Sequence, residues 1–148
     1  MNQFKVLWFE DNVKNFDKII PQLKAHALML DRAFEYDVYD HYPKDFQEKM
    51  FIGDYSVAFI DLNLNNGQKG TEIISTLVAH GSYMDVLLYS NNPAELEELT
   101  EGYNYVEGVF RHATMEGIEG KMKDVIEIVN YKEIMVLKRH GYVQQVTS

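Results

Sequence analysis

The sequence predicts an α/β fold in which helices cover both faces of a parallel sheet of five strands. Short apolar runs alternate along the chain with segments that have the apolar spacing of a helix. The strongest of these runs are apolar throughout rather than on one side, which is typical of strands buried on both faces. The 148 residues contain no linker, repeat or low-complexity tract, so we expect one domain over residues 1–148.

The elements near the N-terminus begin with a buried strand. "KVLWF", residues 5–9, is apolar and is followed by a segment of helical spacing at 12–30. Pro21 lies inside that segment and should kink the helix, because proline lacks an amide hydrogen. "FEYDVYD", 34–40, alternates apolar and polar residues as a strand with one wet face does, and "PKDFQEKMF", 43–51, suits a short helix.

The middle of the chain holds two further apolar strands, each followed by a helix. "YSVAFID", 55–61, is rich in residues that favour strands, and "DVLLYS", 85–90, is almost entirely apolar. A helix is expected over 70–81, ended by glycine, and another over 93–102, with proline at its start and glycine at its end.

The last elements are a weak strand and a long helical region. "GVF", 108–110, is the candidate fifth strand, and residues 115–142 carry one or two closing helices. From about residue 131 the chain extends beyond what the sheet needs to cover it, with further apolar residues in "EIMVLK". We treat this extension as a candidate homodimer surface.

Composition excludes several classes of function. The chain has no cysteine, so disulfides, thiolate metal sites and thiol catalysis are excluded. The net charge of −9 argues against binding to a nucleic-acid backbone. We find no signal peptide and no apolar run long enough to span a membrane, so we expect a cytoplasmic protein without a membrane partner.

Polar residues follow the predicted strands at the points where they end. In open α/β sheets, ligands bind beyond the carboxyl ends of the strands. The residues found there, strand by strand, are Glu10 and Asp11, then Asp61, then Ser90, then Arg111 and His112. If the strands are neighbours, these side chains share one shallow pocket.

Three carboxylates in one pocket would repel each other unless a cation lies between them. At 4 Å two like charges repel by about 4 kcal/mol near a protein surface. Hard oxygen ligands at strand ends suit Mg²⁺, which takes only a few protein ligands. We therefore expect Glu10, Asp11 and Asp61 to bind Mg²⁺, with Asp61 as a possible nucleophile that accepts a phosphoryl group.

Three segments in this order resemble the receiver domain of bacterial response regulators. "VLWFEDN" resembles the family's first strand with its acidic pair, "VAFIDLNL" the segment with the phosphoacceptor aspartate, and "VLLYSNN" the fourth strand with its terminal hydroxyl residue. The resemblance spans about residues 4 to 130. It implies a flavodoxin-like (βα)5 three-layer sandwich with strand order 2-1-3-4-5.

The resemblance also implies roles for individual residues. Asp61 would be the phosphoacceptor, the backbone carbonyl of Asn63 would complete the Mg²⁺ shell, and Ser90 would be the switch hydroxyl. Receivers carry a lysine and then a proline after the fifth strand, where this chain has "VFRHAT". His112, or else Arg111, stands at the lysine position.

These features predict a stand-alone receiver-like signalling protein, with no enzymatic activity beyond weak self-phosphorylation or dephosphorylation. Its partners would be a sensor histidine kinase or phosphotransfer protein and an unidentified downstream protein. Two alternatives remain open. The first is a pseudo-receiver that binds proteins independently of phosphate, and the second is a Mg²⁺-dependent phosphohydrolase or nuclease using Glu10, Asp11 and Asp61, with His112 as the available general base.

Overall fold

A computed structural model of the chain describes residues 2–42, 55–64, 67–79, 84–100 and 110–147, with side chains described as far as residue 98 in the fourth range and residue 137 in the last. The strands are β1 (Gln3–Phe9), β2 (Ala33–Tyr39), β3 (Val57–Asp61), β4 (Asp85–Ser90) and β5 (Phe110–Thr114). The helices are α1 (Ile20–Met29), α2 (Gly70–Ala79), α3 (Pro93–Thr100) and α4 (Ile118–Thr147), and a 3₁₀ turn spans Val13–Phe16.

The five strands form one parallel sheet in the order β2-β1-β3-β4-β5. Helices alternate with the strands along the described chain, so the fold is α/β and flavodoxin-like, as the sequence predicts. The central strands pair with Phe9 opposite Ile60 and Asp61 opposite Tyr89, which brings the carboxyl ends of β1, β3 and β4 to one edge of the sheet.

Two apolar cores lie on opposite faces of the sheet. Alternate residues of each strand enter different cores, so Trp8 and Phe59 pack with α1 and α4, whereas Leu7 and Ile60 pack with α2 and α3. β3 and β4 are therefore buried on both faces, which explains their continuous apolar sequences.

The segment after β1 differs from the predicted helix over 12–30. A 3₁₀ turn and a short irregular stretch come first, and α1 begins only at Ile20. Pro21 therefore lies in the first turn of α1, where its missing amide hydrogen has no helical acceptor to lose. The expected kink is wrong because the helix begins later than its apolar spacing suggests.

The fifth strand is the largest departure from the predicted elements. The strand predicted at 108–110 shares only Phe110 with β5, and residues 108 and 109 lie outside the described ranges. β5 instead continues through Arg111 and His112 to Thr114, which pairs with Ser90. It is an edge strand with one exposed side chain, His112, so it lacks the apolar run by which the other strands are detected.

The closing region is one helix. α4 runs over 30 residues, where the sequence left one or two helices open, and it continues past residue 131. The helix expected at 43–51 lies outside the described residues. Within the described ranges, no helix is both long and apolar enough to cross a membrane.

Candidate metal centre

A cleft of about 190 Å³ opens at the carboxyl edge of the sheet. Its walls come from the ends of β1, β3 and β4, from the segment after β1 and from the residue that follows β5. The lining residues are Glu10, Asn15, Asp61, Asn63, Tyr89, Asn91 and Met115. Every one except Met115 carries a polar group, in a sheet whose strands are otherwise mostly apolar.

Glu10, Asp11 and Asp61 form a compact carboxylate cluster at this cleft. One oxygen from each residue lies within 4.8 Å of an oxygen from each of the other two. Glu10 is 4% exposed, so its carboxyl group is largely removed from water. The convergence follows from the parallel register, because β1 and β3 are adjacent and end at the same edge.

A chain of buried hydrogen bonds reaches Glu10 from the core. The indole N–H of Trp8 donates to the Tyr89 hydroxyl at 2.8 Å, and that hydroxyl donates to Oε2 of Glu10 at 2.8 Å. Trp8 lies in β1 and Glu10 directly follows that strand, and because they are two residues apart their side chains point to the same side of the sheet. Three aromatic rings surround the Trp8 indole edge to face, those of Phe16, Tyr36 and Phe59.

The environment of the cluster makes Glu10 hold its proton unusually tightly. Burial raises the pKa of Glu10 from 4.5 to about 8, and its hydrogen bond to Asp61 acts in the same direction, against a smaller lowering by the Tyr89 hydroxyl. Burial also raises the pKa of Asp61, and hydrogen bonds from Glu10 and from the Asn63 amide partly offset this increase. Near neutral pH Glu10 therefore holds a proton that an ordinary glutamate has lost.

This donor set fits Mg²⁺. Carboxylate oxygens close together at the end of a sheet supply a few hard ligands and leave the remaining positions to water. A divalent cation between these carboxylates would offset the repulsion from Asp61 and Asp11 that helps to raise the pKa of Glu10. Asn63 lines the cleft, and its amide N–H donates to Oδ1 of Asp61 at 3.0 Å.

Ser90 ends β4 but does not line the cleft. Its Oγ accepts a hydrogen bond from the Asn92 amide at 3.0 Å, and the side chain of Asn92 in turn caps α3 by accepting from the Glu95 amide at 3.1 Å. The residue that caps α3 is thus Asn92. Ser90 stabilises the turn between β4 and α3 in this structure.

The structure does not bring Arg111 or His112 to the cleft, which corrects the expectation that one of them takes the lysine position. Arg111 pairs with Asp85 at 2.9 Å, and Asp85 is the first residue of β4, at the amino end of that strand. Lys132 pairs with the same carboxylate at 3.0 Å. His112 lies in register with Leu88, two residues before the end of β5, and is exposed.

The misplacement follows from the boundary of β5. Because the strand continues to Thr114, the residues that reach the carboxyl edge are Thr114 and Met115. The Met115 amide donates to the carbonyl of Ser90 at 3.0 Å, and Met115 lines the cleft. The residue that β5 brings to the cleft is therefore a thioether and not a cation.

Sequence reasoning missed Tyr89, Asn15 and Lys69. Tyr89 had a usable signal, because it precedes Ser90 in a predicted buried strand and a buried tyrosine hydroxyl requires a partner. Lys69 bonds through Nζ to Oδ1 of Asn63 and to Oε1 of Glu95. No sequence signal identified Asn15 or Lys69, since Asn15 lies in a 3₁₀ turn where the sequence predicted an α-helix, and Lys69 ends a loop whose path the sequence did not specify.

Comparison with known proteins supports the fold and little else. No protein-family model matches the chain, and no curated protein matches it. A solved structure with a similar fold is the adenylate cyclase from Rhodopirellula baltica, at a TM-score of 0.52 and 17% sequence identity, covering 97% of this chain and 98% of that chain. At this identity the likeness extends to the fold alone, so the chain is defined as a flavodoxin-like α/β protein with an acidic cleft at the carboxyl edge of its sheet.

Proposed function

We propose that this protein is a receiver-like signalling domain that accepts a phosphoryl group on Asp61 in the presence of Mg²⁺. The observation that carries the proposal is the convergence of Glu10, Asp11 and Asp61 within 4.8 Å at the end of a parallel sheet. A cation bound by these carboxylates would be next to the residue proposed to be phosphorylated, in a cleft large enough for a phosphoryl group.

The proposed chemistry is the transfer of a phosphoryl group from a donor to Asp61. An oxygen of the Asp61 carboxylate forms a bond to phosphorus while the bond between phosphorus and the donor breaks, and the electron pair leaves with the donor. The product is an acyl phosphate. Mg²⁺ would neutralise charge on the transferring group, and the Asn63 amide holds one Asp61 oxygen so that the carboxylate keeps a fixed orientation.

The donor and the output follow from the same proposal. A sensor histidine kinase or a phosphotransfer protein would supply the phosphoryl group, and the phosphorylated domain would signal through contacts with another protein. We expect the protein to act in the cytoplasm and to catalyse nothing beyond its own phosphorylation and dephosphorylation. Cyclase activity, for which the Rhodopirellula baltica protein is named, is not proposed for this chain, since the two proteins share only the fold.

A second candidate function is a pseudo-receiver that binds a partner independently of phosphate. Two observations favour it. Arg111 is paired with Asp85 at the far end of β4, and the Ser90 hydroxyl is bonded to the Asn92 amide rather than facing the cleft. In that case the hydrogen bond between Glu10 and Asp61 would be a structural contact only.

The test is incubation of the protein with Mg²⁺ and acetyl phosphate, followed by mass spectrometry of the intact chain. The receiver proposal expects a mass increase of one phosphoryl group that requires Mg²⁺ and is lost in Asp61→Asn. The matched control is Asp124→Asn, an exposed aspartate on α4, which should be phosphorylated like the unmodified protein.

A second measurement separates the two candidates. Beryllofluoride mimics an acyl phosphate and should bind the Mg²⁺-loaded protein, with amide NMR shifts around Asp61. If neither phosphorylation nor beryllofluoride binding occurs at saturating Mg²⁺, the receiver proposal is wrong and the pseudo-receiver becomes the better account. Absence of Mg²⁺ binding itself would exclude the metal centre.

A further inference from the structure

Lys69 lies at the rim of the acidic cleft, where the fold holds its backbone close to Asp61. It directly precedes α2, whose first residue is Gly70, and the Gly70 amide donates to the carbonyl of Leu62 at 2.8 Å. A Cβ atom at Gly70 would lie 2.6 Å from the carbonyl oxygen of Asp61. The residue next to Lys69 therefore touches the backbone of the proposed phosphoacceptor.

The Lys69 side chain bridges the cleft and helix α3. Its ammonium bonds to Oδ1 of Asn63, which lines the cleft, and to Oε1 of Glu95 at 2.8 Å. Asn63 is also the residue whose amide donates to Asp61. The ammonium and Asp61 thus both bond to Asn63, and the same ammonium contacts Glu95 in the first turn of α3.

A phosphoryl group on Asp61 would bring negative charge that the Lys69 ammonium is placed to neutralise. Glu10 and Asp11 carry up to two negative charges, and phosphorylation converts the single charge of the Asp61 carboxylate into about two on the acyl phosphate, so the total exceeds the charge of one divalent cation. A phosphoryl dianion also attracts an ammonium more strongly than a single carboxylate does. Lys69 and Glu95 are both partly exposed, and such pairs are weak enough to exchange partners.

Resting on the proposed function, we infer that Lys69 is the cationic residue that contacts the phosphoryl group on Asp61. To do so the ammonium leaves Glu95, so that phosphorylation releases a carboxylate in the first turn of α3. The Lys69–Glu95 pair then couples the state of the cleft to the surface of α3. Because Glu95 is the third residue of α3 and its amide bonds to the Asn92 cap, the released carboxylate stays at the start of the helix.

The experiment measures beryllofluoride binding to the Mg²⁺-loaded protein by calorimetry, and Mg²⁺ binding alone in parallel. Lys69→Gln should weaken beryllofluoride binding about tenfold, because one hydrogen bond between charged groups is lost. It should leave Mg²⁺ binding unchanged or slightly tighter, and Lys69→Arg should restore most of the beryllofluoride affinity. The matched control is Lys123→Gln, which removes a lysine paired with Glu119 on α4.

A second readout tests the coupling to α3. Amide NMR shifts in α3 should follow beryllofluoride binding in the unmodified protein and be strongly reduced in Glu95→Gln, which weakens the resting pair. If Lys69→Gln binds beryllofluoride as tightly as the unmodified protein does, the inference about Lys69 is overturned while the receiver proposal stands. If the unmodified protein binds Mg²⁺ but not beryllofluoride, the proposed function and the role of Lys69 are overturned together.

Discussion

The Tyr89 hydroxyl donates to Oε2 of Glu10 at 2.8 Å while accepting the indole N–H of Trp8 at the same distance. Tyr89 thus satisfies a buried donor on one side and a buried carboxyl group on the other. Through these two bonds the candidate metal centre is connected directly to the apolar core between the sheet, α1 and α4. Residues of the apolar core therefore also hold the Glu10 carboxyl group that would bind the cation.

Tyr89→Phe should destabilise the protein without altering its fold. The substitution keeps the ring that packs against Phe16 but leaves the Trp8 indole N–H and the Glu10 carboxyl group without their shared partner. A buried polar group left unpaired costs about 1–3 kcal/mol. Denaturant unfolding should show this loss, and Tyr131→Phe, which removes the hydroxyl of an exposed tyrosine on α4, should show none. Equal stability for the two variants would contradict the buried network.

The raised pKa of Glu10 predicts that stability falls with increasing pH when no divalent cation is present. Glu10 titrates near 4.5 in the unfolded chain and near 8 in the folded one, so between these values the folded state binds one more proton. The free energy of unfolding should therefore fall as pH rises from about 4.5 to about 8, by an amount on the order of a few kcal/mol. Denaturant unfolding across this range measures it.

Glu10→Gln and Mg²⁺ provide the controls for this pH dependence. Glutamine cannot titrate, so the variant should lose most of the slope while keeping an acceptor for the Tyr89 hydroxyl. Mg²⁺ should raise stability most above pH 8, where Glu10 is ionised and no proton has to be displaced. A slope unchanged in Glu10→Gln would assign the effect to other groups.

Much of the fold could be predicted because its central strands leave little choice. β4 begins and ends where the sequence places it, at 85 and 90, since all six of its residues are buried and the four between its polar ends are apolar or aromatic. The same argument located Glu10, Asp11 and Asp61 together, because parallel neighbours must end at one edge. The burial of whole strands therefore predicts the parallel sheet and the acidic cluster at its edge, whereas the strand order was implied by the resemblance to receiver domains.

The edge strand β5 and the side-chain hydrogen bonds were harder to predict from the sequence. β5 contains Arg111 and His112, which an edge strand tolerates. Because these residues interrupt the apolar run, the strand was not recognised over its full length. The error in its boundary was enough to assign His112, or else Arg111, to the cleft, whereas the structure leaves His112 exposed and pairs Arg111 with Asp85. The partners of Tyr89 and Lys69 depend on side-chain directions and loop paths that residue spacing does not specify.

Arg32 should be a major contributor to stability, although it lies far from the acidic cleft. Its guanidinium is 3% exposed, bonds to the Asn130 side chain and pairs with Glu133, both at 2.8 Å. It also donates to the carbonyl of Gln3 and lies 5.3 Å from the centre of the Phe4 ring. One side chain therefore joins the start of β1 to the middle of α4.

Arg32→Met keeps apolar volume but leaves the Asn130 side chain and the Glu133 carboxylate without their partner. Because Glu133 is partly exposed and can be hydrated, we expect a loss of about 1–3 kcal/mol, chiefly from the buried Asn130 side chain. Denaturant unfolding should show this loss, and hydrogen exchange should speed up in α4 around residue 130. Lys24→Met, at an exposed position on α1, is the control and should change stability little. A small effect of Arg32→Met would show that α4 is held mainly by its apolar contacts.

Gly70→Ala tests how closely α2 must approach Asp61. The added Cβ would lie 2.6 Å from the Asp61 carbonyl oxygen and 2.7 Å from Cδ1 of Leu88. Leu88 could rotate, but the carbonyl belongs to the backbone of β3, so α2 would have to shift away from the cleft. We expect a loss of about 1–3 kcal/mol and a weaker affinity for Mg²⁺, because the Asp61 end of β3 moves with its neighbour.

Gly120→Ala on α4 is the matched substitution, because a Cβ there meets no atom within 4 Å. It should stabilise the protein by about 1 kcal/mol, since alanine is the better helix former. Denaturant unfolding and Mg²⁺ calorimetry on both variants compare one chemical change at a crowded and an open glycine. If Gly70→Ala matched Gly120→Ala in stability and in Mg²⁺ affinity, the start of α2 would not be packed against Asp61, and the position of Lys69 at the cleft would lose its support.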